Sequence, residues 1–478
     1  MSAEALEIVR AALADQRAWI VGGAVRDRVL DRPVVDLDVV IDGDPAGAAR
    51  AIARQAKRVG PGAACFPLSE EFGAWRVVAR GGAWQIDVEG MRGGSLEADL
   101  ALRDFTINAI AEPLGGGDPI DPLGGLADLR AGRLRCAGAA AFAEDPLRVL
   151  RLVRAIAELD LTADPQTLAA AREQARRLAE VSPERIFLEL RRIVASPGAL
   201  EGLESMSRLG ATAVVLPELE AMREVEQSRF HHRDVYGHTL EVFERAIALT
   251  TPQGWELSEP GAALGGERRE PVLALLAEPL ADEMTRGEAL RWGALLHDAA
   301  KPATRAVRPF DRRVTFIGHD AQGAALAREV LARLRASVRL REHVAALVRH
   351  HLRLGFLVHE PQPLARTSVY AYLRACDPVE VDVTLLSVCD RLATRGAKSE
   401  QAIESHVALA RSMLDDALRW RSDGPPKPLL RGDEVAALVG IAPGPRVGEL
   451  LEELACAQYA GVVESREQAS AFVQRRAH

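Results

Sequence analysis

The sequence predicts an α+β protein in which a small α/β domain precedes an all-α remainder. Two observations lead to this prediction. Short apolar runs rich in β-branched residues alternate with helical patterns over the first 135 residues. Beyond about residue 140 the strand signal largely vanishes, and apolar residues recur at helical spacing. The length of 478 residues suits three or four domains.

The strands of the first domain are marked by apolar runs that end at glycines. The predicted strands are 19–21, 37–41, 75–79 and 84–88. Gly22-Gly23 stops the first run, and Gly81-Gly82 forms a turn between the last two.

Helical periodicity covers 142–161, 165–180 and 183–195. Ser182 is placed to cap the third of these helices, with Pro183 in its first turn. Residues 251–270 are rich in Pro, Gly and Glu, which predicts a long surface loop. Residues 422–426 read as a linker into a small terminal helical unit.

Composition excludes several classes of protein. No stretch of about 18 apolar residues lacks charge, so no membrane span is predicted, and the N-terminus has no signal-peptide core. The five cysteines are scattered without a CxxC pair, which fits a cytoplasmic protein in a reducing cytosol. The net charge of −8 does not indicate nucleic-acid binding, although a basic strip can coexist with an acidic remainder.

The first candidate site is the segment Gly22-Gly23-Ala24-Val25-Arg26-Asp27, which follows a strand and opens a helix. Two glycines let backbone N–H groups approach a phosphate, the helix N-terminus favours an anion, and Arg26 can fork onto phosphate oxygens. A purely structural strand–turn–helix connection is the alternative interpretation.

Asp36 and Asp38 lie two residues apart in a predicted strand, so their carboxylates face one side. Like charges this close repel unless a cation neutralises them, which suits one or two Mg²⁺ ions. Asp87, on another strand, is a candidate third carboxylate. Two metals held in this way support in-line displacement at phosphorus. The alternatives are a surface DxD pair and a solvated strand aspartate.

Four ordered segments resemble the motifs of the class II tRNA nucleotidyltransferase and bacterial poly(A) polymerase family. The first joins the Gly22–Asp27 segment to Asp36-Leu37-Asp38. The others are Leu102-Arg103-Asp104-Phe105-Thr106-Ile107-Asn108-Ala109, Glu144-Asp145-Pro146-Leu147-Arg148-Val149-Leu150-Arg151 and Glu184-Arg185-Ile186-Phe187-Leu188-Glu189-Leu190-Arg191-Arg192.

The resemblance implies metal-dependent addition of CMP, and of AMP, from CTP and ATP to the 3′ end of tRNA. It assigns Mg²⁺ to Asp36 and Asp38. The nucleotide-binding residues it implies are Gly22 and Gly23 with Arg26 for the triphosphate, Arg103 and Asp104 for the sugar and pocket, and Asp145 and Arg148 for the base edge.

Base selection by protein side chains is chemically reasonable. Asp145 and Arg148 are spaced to share one helix face, where a carboxylate accepts from the amino group of C or A and a guanidinium donates to the ring. Arg151 and Arg154 continue this strip and are candidates to bind phosphate or the primer end. A solvated helix face is the alternative for these two.

The connection between the first two motifs is short: only Gly93-Gly94-Ser95 separates Arg92 from Leu96. Full CCA-adding members of the family usually carry a longer flexible loop there. A CC-adding enzyme is therefore a serious alternative, and poly(A) polymerase is a further one.

The second half of the chain places histidines and aspartates in or beside apolar helical runs. His238, His297-Asp298 and Asp390 resemble the metal ligands of the HD phosphohydrolase superfamily, and His319 and His351 would complete a second metal site, with His350 as the neighbouring alternative. The resemblance implies a divalent transition metal (Ni, Mn, Co, Fe or Zn) and a phosphatase or phosphodiesterase activity. His231, His232, His343 and His359 are predicted to be surface or packing residues.

These patterns predict a nucleotidyltransferase head at 1–135, a helical neck at 136–225, an HD domain at 226–415 and a helical tail at 425–478. The partners implied are tRNA, CTP and ATP, with no membrane. Two rivals remain: a hydrolase with an RNA-binding head, and a non-enzymatic RNA-binding module. The sequence does not set the oligomeric state.

Overall fold

The computed structural model describes residues 3–34, 36–69, 73–227, 232–396 and 399–477. The chain divides into two compact units, Met1–Val215 and Leu216–His478. Within the described ranges, no helix combines the length and the apolar character needed to cross a membrane. All five cysteines have free thiols.

The first 135 residues alternate strands and helices. In chain order the elements are α1 Ala3–Ala12, β1 Ala18–Val21, α2 Gly23–Val29, β2 Asp36–Ile41, α3 Pro45–Val59, β3 Ala63–Ser69, β4 Ala74–Ala79, β5 Gln85–Gly90, α4 Leu96–Ala101, a 3₁₀ helix Thr106–Asn108, β6 Ala111–Pro113, α5 Gly125–Arg130 and β7 Arg133–Leu134. The four predicted strands are present, and β3, β6 and β7 were not predicted.

Six of these strands form one mixed sheet in the order β3-β4-β5-β2-β1-β6. β2 and β5 run parallel, and the remaining neighbours are antiparallel. Helix α3 packs on the sheet through its buried alanines and Ile52. Asp44 caps this helix by accepting from the backbone N–H groups of Ala46 and Gly47, and Pro45 occupies its first turn.

The rest of the first unit is helical apart from one short strand. Its elements are α6 Ala141–Glu144, α7 Arg148–Leu159, β8 Thr162–Ala163, α8 Pro165–Gln174, a 3₁₀ helix Ala175–Glu180, α9 Pro183–Ala195, α10 Ala199–Arg208 and α11 Thr212–Val215. Ser182 precedes α9 as predicted, but its side chain makes no capping hydrogen bond.

The prediction of one helix over 142–161 is wrong. Asp145 has extended backbone angles (φ −140°, ψ 100°), and the chain re-enters a helix only at Arg148. Pro146 explains the break, because proline has no N–H to donate and disfavours the helical conformation of the residue before it.

The second unit is almost entirely helical. Its elements are α12 Pro217–Glu220, α13 Val235–Leu249, α14 Pro252–Leu257, α15 Glu259–Leu264, a 3₁₀ helix Gly266–Arg268, α16 Arg269–Leu276, β9 Pro279–Ala281, β10 Met284–Thr285, α17 Arg286–Leu296, α18 Lys301–Thr304, β11 Ala306–Val307, β12 Val314–Thr315, α19 His319–Arg333, α20 Val338–His350, α21 Arg353–Leu357, α22 Arg366–Cys376, α23 Glu380–Ala393, α24 Ser399–Asp423, α25 Gly432–Val439, α26 Pro445–Tyr459 and α27 Arg466–Ala477.

The predicted loop at 251–270 is instead two short helices and a 3₁₀ turn. Thr251 and Ser258 cap α14 and α15 by accepting from backbone N–H groups, and a proline follows each cap. Trp255 is 2% exposed and Leu264 is fully buried, so the segment packs into the unit. Composition misled here because proline and glycine in a first helical turn resemble loop residues.

Helices α13, α17, α20 and α23 pack on one another and form the core of the second unit. All but one residue of α17 is buried. The C-terminal helices α25 to α27 enclose a separate apolar cluster. The predicted linker at 422–426 starts inside α24, which continues to Asp423 before Gly424 adopts φ 77°.

Candidate functional site

The acidic residues of the head lie on adjacent parallel strands. Asp36 is exposed and Asp38 is half-buried, whereas the alternating residues Leu37 and Val39 are buried. Both carboxylates therefore face the same side of β2. Asp38 lies directly opposite Asp87 of β5. The predicted juxtaposition of the three aspartates on neighbouring strands is thus present.

Burial raises the pKa of the Asp38 carboxyl to about 6, and the nearby carboxylates of Asp87, Glu89 and Asp36 add to the rise against the attraction of Arg103. A cation relieves this kind of repulsion, and carboxylate oxygens are the ligands that Mg²⁺ prefers. The donor set of Asp36 and Asp38 therefore fits a magnesium ion.

Asp87 has a partner that the sequence did not reveal. Arg76 of β4 pairs with it across the strands, and its Nε and Nη2 donate to the two carboxylate oxygens at 2.8 Å each. Asp87 is therefore held by a forked ion pair. An arginine inside an apolar run was the available signal, but it could not be matched to a partner without the strand register.

The two-glycine turn lies against the acidic residues. Gly22 follows β1 with φ 70°, and α2 starts at Gly23. A Cβ on Gly22 would lie 3.3 Å from Oδ2 of Asp38 and 3.3 Å from Nη1 of Arg103. Glycine is needed here both for the positive φ and for this close approach.

The arginines assigned to the nucleotide are already bonded within the head. Arg26 donates to Asp27 and to Oδ1 of Asn108, each at 2.8 Å. Arg103 donates to the buried Asp99 at 3.2 Å. Triphosphate binding by Arg26 thus requires it to exchange these partners.

A buried ion pair supports the second motif. Asp104 accepts from Nε of Arg151 at 2.7 Å and from the side-chain amide of Asn108 at 2.9 Å. Burial raises the pKa of Asp104, but Arg151 and Asn108 outweigh it and hold that pKa well below its ordinary value. Asp104 is therefore a charged, positioned group that fixes the loop around Asn108.

Asp145 and Arg148 do not share a helix face, in contrast to the prediction. Asp145 precedes α7, and its carboxylate accepts from Arg185 at 2.7 Å. The guanidinium of Arg148 donates to the carbonyl oxygens of Leu102 and Ala141, at 2.8 and 3.1 Å. Arg185, from the fourth motif, thus joins the set of residues around the predicted base-selecting pair.

Arg151 and Arg154 are paired with carboxylates of the head and the neck, so the solvated-face interpretation is wrong. Arg151 binds Asp104, and Arg154 donates to Glu189 at 2.6 Å and to Glu158 at 3.1 Å. Binding of phosphate or the primer end by these two arginines stays a prediction. It would require them to release their present carboxylate partners.

The predicted ligands of the second unit converge from five segments of chain. His238 lies in α13, His297-Asp298 follow α17, His319 begins α19, His351 follows α20, and Asp390 lies in α23. Two groups of ligand atoms lie within 4.8 Å of one another: His238 with His297 and Asp298, and Asp298 with His319 and His351. Asp298 belongs to both groups.

The imidazoles are oriented as metal ligands are. The Nδ1 atoms of His297, His319 and His351 bond backbone carbonyl oxygens at 2.7–2.8 Å. Their Nε2 atoms are buried in the cluster, where those of His297 and His319 lie 3.2 and 3.4 Å from the carboxylate oxygens of Asp298. Such backbone bonds fix the tautomer that presents Nε2 as a ligand.

Further contacts complete this cluster. Nε2 of His238 lies 3.0 Å from Oδ1 of Asp390, and Nζ of Lys301 lies 2.7 Å from Oδ2 of Asp298. Burial lowers the pKa of His351 to about 4, which keeps its imidazole neutral as a ligand must be. His350 instead accepts from Arg353 outside the cluster. Lys301 was not singled out in the sequence, although it lies three residues after Asp298.

The remaining histidines are placed as follows. His232 and His359 are exposed, as predicted. His343 is buried 3.7 Å from Asp382, which fits a packing role. His231 lies outside the described residues.

An open cavity of about 610 Å³ adjoins the histidine cluster. Its lining combines the cluster with two cations and an apolar wall, and comprises Asp298, Lys301, Val314, Thr315, Phe316, Ile317, Gly318, His319, Asp320, His351, Leu352, Phe356, Asp390, Arg391 and Thr394. The cluster is therefore accessible to a ligand of nucleotide size.

Three known domain families match successive segments of the chain, in the same order as the sequence motifs. Residues 18–135 match the poly A polymerase head domain, and residues 160–223 match the probable RNA and SrmB-binding site of polymerase A. Residues 273–395 match the HD domain. Together, the head and the HD domain imply that the chain uses divalent metal ions.

Similar proteins extend over nearly the whole chain. An A-adding tRNA nucleotidyltransferase of Deinococcus radiodurans is 37% identical over 463 residues, covering 96% of this chain and 95% of that protein. A CC-adding tRNA nucleotidyltransferase of Thermus thermophilus is 35% identical over 464 residues, covering 95% and 93%.

Solved structures share the fold. The Bacillus stearothermophilus CCA-adding enzyme in complex with CTP superposes with a TM-score of 0.61 at 23% identity, covering 99% of this chain and 96% of that one. Motifs, matched domains and identity over nearly the full length together show that the chain belongs to the class II tRNA nucleotidyltransferase and poly(A) polymerase family and carries an HD domain.

Proposed function

We propose that this protein transfers CMP and AMP from CTP and ATP to the 3′ end of tRNA without a nucleic-acid template. The observation that carries this proposal is the pair of carboxylates, Asp36 and Asp38, which face one side of β2 beside the turn at Gly22. Family membership then identifies the reaction as nucleotidyl transfer.

In the reaction, the 3′-hydroxyl oxygen of tRNA attacks the α-phosphorus of the nucleotide. The bond from that phosphorus to the bridging oxygen of pyrophosphate breaks, and the hydroxyl proton is released. Mg²⁺ bound by Asp36 and Asp38 would lower the pKa of the hydroxyl and neutralise charge on the triphosphate. The protein otherwise contributes orientation and preorganised charge.

The other proposed roles follow the motifs. Gly23 and Arg26 would bind the triphosphate, and Arg103 with Asp104 would shape the sugar pocket. Asp145 and Arg148 would read the base edge once they exchange their present partners. Asp87 would support the acidic site through its forked bond to Arg76 rather than by binding a metal alone.

CC addition alone is the second candidate, and one observation favours it. Residues 91–95 connect β5 to α4, and they are held in place: Ser95 caps α4, and Arg92 donates to the buried Asp99. A switch from C to A that depends on a long flexible loop has little chain available here. The Deinococcus relative, by contrast, is an A-adding enzyme.

An incorporation assay distinguishes these functions. Three tRNA substrates ending before CCA, after C and after CC are incubated with labelled CTP and ATP, each alone and together. Complete CCA on all three substrates is the expected result. AMP on the CC end with no CMP on any substrate would reassign the protein to A addition. CMP on the first two substrates with no AMP on any substrate would reassign it to CC addition. Repeated AMP addition would indicate poly(A) polymerase.

We further propose that the HD domain is a metal-dependent phosphohydrolase that removes phosphate or 2′,3′-cyclic phosphate from tRNA ends. Support comes from the two ligand groups that share Asp298 and from the buried Nε2 atoms that face them. Nitrogen-rich donor sets of this kind suit Ni, Mn, Co, Fe or Zn. The bond from phosphorus to the ester oxygen breaks, water supplies the new oxygen, and the leaving oxygen takes a proton.

The proposed domain limits are 1–135, 136–225, 226–415 and 425–478. The rival in which the head only binds RNA predicts hydrolysis without CTP incorporation. Because the acidic pair of the head is intact beside its glycine turn, we favour two active sites.

A further inference from the structure

Arg391 is unlike most arginines in the described part of the chain, because no carboxylate is hydrogen-bonded to its guanidinium. It follows the ligand Asp390 in α23 and is half-buried. No hydrogen bond or ion pair joins its guanidinium to another residue in the described part of the chain, and its Nε is buried without a partner. The neighbouring carboxylate of Asp390 attracts this cation but is itself bonded to His238. A half-buried cation without a hydrogen-bonded counter-ion is costly to the folded protein, which indicates an anionic ligand.

The surroundings of Arg391 place that anion beside the metal ligands. Arg391 lines the 610 Å³ cavity together with Asp298, His319 and His351. The cavity has a second cation, Lys301, but its Nζ is already bonded to Asp298 and to Oε1 of Gln227, each at 2.7 Å. Of the two, only Arg391 is free to bind a phosphate.

Another part of the lining is apolar. Ile317 is 84% exposed and Phe356 is 66% exposed, and both lie on the cavity beside Phe316. Large apolar side chains left exposed at a cavity rim mark a place where a ligand covers them. A ligand with an anionic group at Arg391 and a flat, weakly polar group at this wall has the chemistry of a nucleotide.

We propose that Arg391 binds the phosphate of a nucleotide ester in the HD-domain site, while Ile317 and Phe356 cover its nucleoside. The proposal rests on the hydrolase function proposed above and names the residues that bind its substrate. A guanidinium donates two parallel hydrogen bonds to phosphate oxygens, which orients the phosphorus toward the ligand cluster. Arg391 is thus assigned a role in binding and orienting the substrate, not in binding metal.

Two substitutions separate the two halves of the site. In Arg391→Gln, we expect KM for 2′,3′-cyclic AMP to rise about 10- to 100-fold, the scale of a lost hydrogen bond to a charged group. Inhibition by inorganic phosphate should weaken in parallel. In Ile317→Ser, KM for the nucleotide should rise while the inhibition constant of inorganic phosphate stays unchanged. Arg391→Lys should retain part of the affinity.

Arg395→Gln is the matched control, because Arg395 follows one turn later but pairs with Glu259 away from the cavity. It should behave as the unmodified protein. Bound metal, measured by mass spectrometry, and CMP incorporation by the head should be equal in all variants. These readouts exclude loss of the fold or of the metal as the cause.

Calorimetry with 2′-AMP keeps the test independent of turnover. If the unmodified protein hydrolyses no probe, the hydrolase function fails, yet weaker 2′-AMP binding by Arg391→Gln would still support the assigned contact. Equal KM and equal 2′-AMP affinity in Arg391→Gln and the unmodified protein would overturn the proposal.

Discussion

Individual carboxylates of this protein differ in chemistry because their neighbours differ. Asp104 is buried but meets Arg151 and Asn108, so it stays ionised. Burial raises the pKa of Asp38 to about 6, and the carboxylates around it add to the rise. Burial alone would raise the pKa of both carboxyls, so the opposite direction of the Asp104 shift comes from the cation and the amide that contact it.

Removing one carboxylate of the acidic pair tests the head. We expect Asp36→Ala to lower CMP incorporation more than about 100-fold, since even residues behind metal ligands often change activity 10- to 100-fold. Hydrolysis of 2′,3′-cyclic AMP should be unchanged. Asp42→Ala is the control, because Asp42 follows the same strand but bonds Arg17 at the surface. Loss of both activities in a folded Asp36→Ala protein would contradict the two-site proposal.

The buried carboxyl of Glu380 is expected to make the unfolding free energy depend on pH. It is fully buried, no other residue in the described part of the chain is hydrogen-bonded to its carboxylate, and burial raises its pKa from 4.5 to about 7. The folded state therefore favours the protonated acid. The stability that Glu380 contributes to the folded protein is fully present below about pH 4.5 and falls as pH rises to about 7. Above that pH it is constant, and the total loss in unfolding free energy is about 3 kcal/mol.

Urea unfolding at pH 5 to 8 checks this prediction. Because glutamine does not ionise, Glu380→Gln should flatten the decline in unfolding free energy over this range. Parallel pH profiles for the variant and the unmodified protein would show that Glu380 stays ionised when folded.

At the scale of elements, short-range signals decide how much is predictable. Strands β1, β2, β4 and β5 were predicted because apolar runs are bounded by turn residues such as glycine. The acidic pair on β2 was predicted from the spacing of two aspartates within one such run. The ion pair of Asp87 with Arg76 depends on strand register, which no local pattern encodes. The break at Asp145 was missed because apolar periodicity continues across Pro146, although the proline itself was a signal.

Helix α14 provides a test of the corrected segment. Trp255 and Leu257 lie two residues apart, but Trp255 is 2% exposed and Leu257 is 79% exposed. We expect Trp255→Ala to lower the unfolding free energy by about 3–5 kcal/mol. Leu257→Ala should change it by less than about 0.5 kcal/mol. Equal small effects in denaturant unfolding would mean that the segment is a surface loop after all.

At the scale of the whole molecule, the chain combines two compact units whose candidate metal ligands differ in chemistry. Oxygen ligands in the head suit Mg²⁺, and imidazoles in the second unit suit a transition metal. The order of the domains and the convergence of all six predicted histidine and aspartate residues of the HD domain were predictable because motifs are ordered along the chain. The cavity wall and Arg391 were not, because they depend on how distant helices pack.

Stripping and restoring metals should separate the two units. After dialysis against a chelator, we expect neither CMP incorporation nor hydrolysis of 2′,3′-cyclic AMP. Added Mg²⁺ should restore incorporation, whereas hydrolysis should return with Ni²⁺, Mn²⁺ or Co²⁺. His297→Ala serves as the control, since it should lose hydrolysis with any metal and keep incorporation. Recovery of both activities with Mg²⁺ alone would contradict the assignment of a transition metal.

Asp298 stands in both ligand groups of the second unit, and this has a thermodynamic consequence. Occupancy of either position changes the charge and orientation of the oxygens offered to the other, so the two binding equilibria are linked reciprocally. Metal binding to the apoprotein should then show positive or negative cooperativity. Two independent hyperbolic binding curves should not describe it. In the proposed hydrolase, this single carboxylate would set the concentration range of free metal over which activity appears.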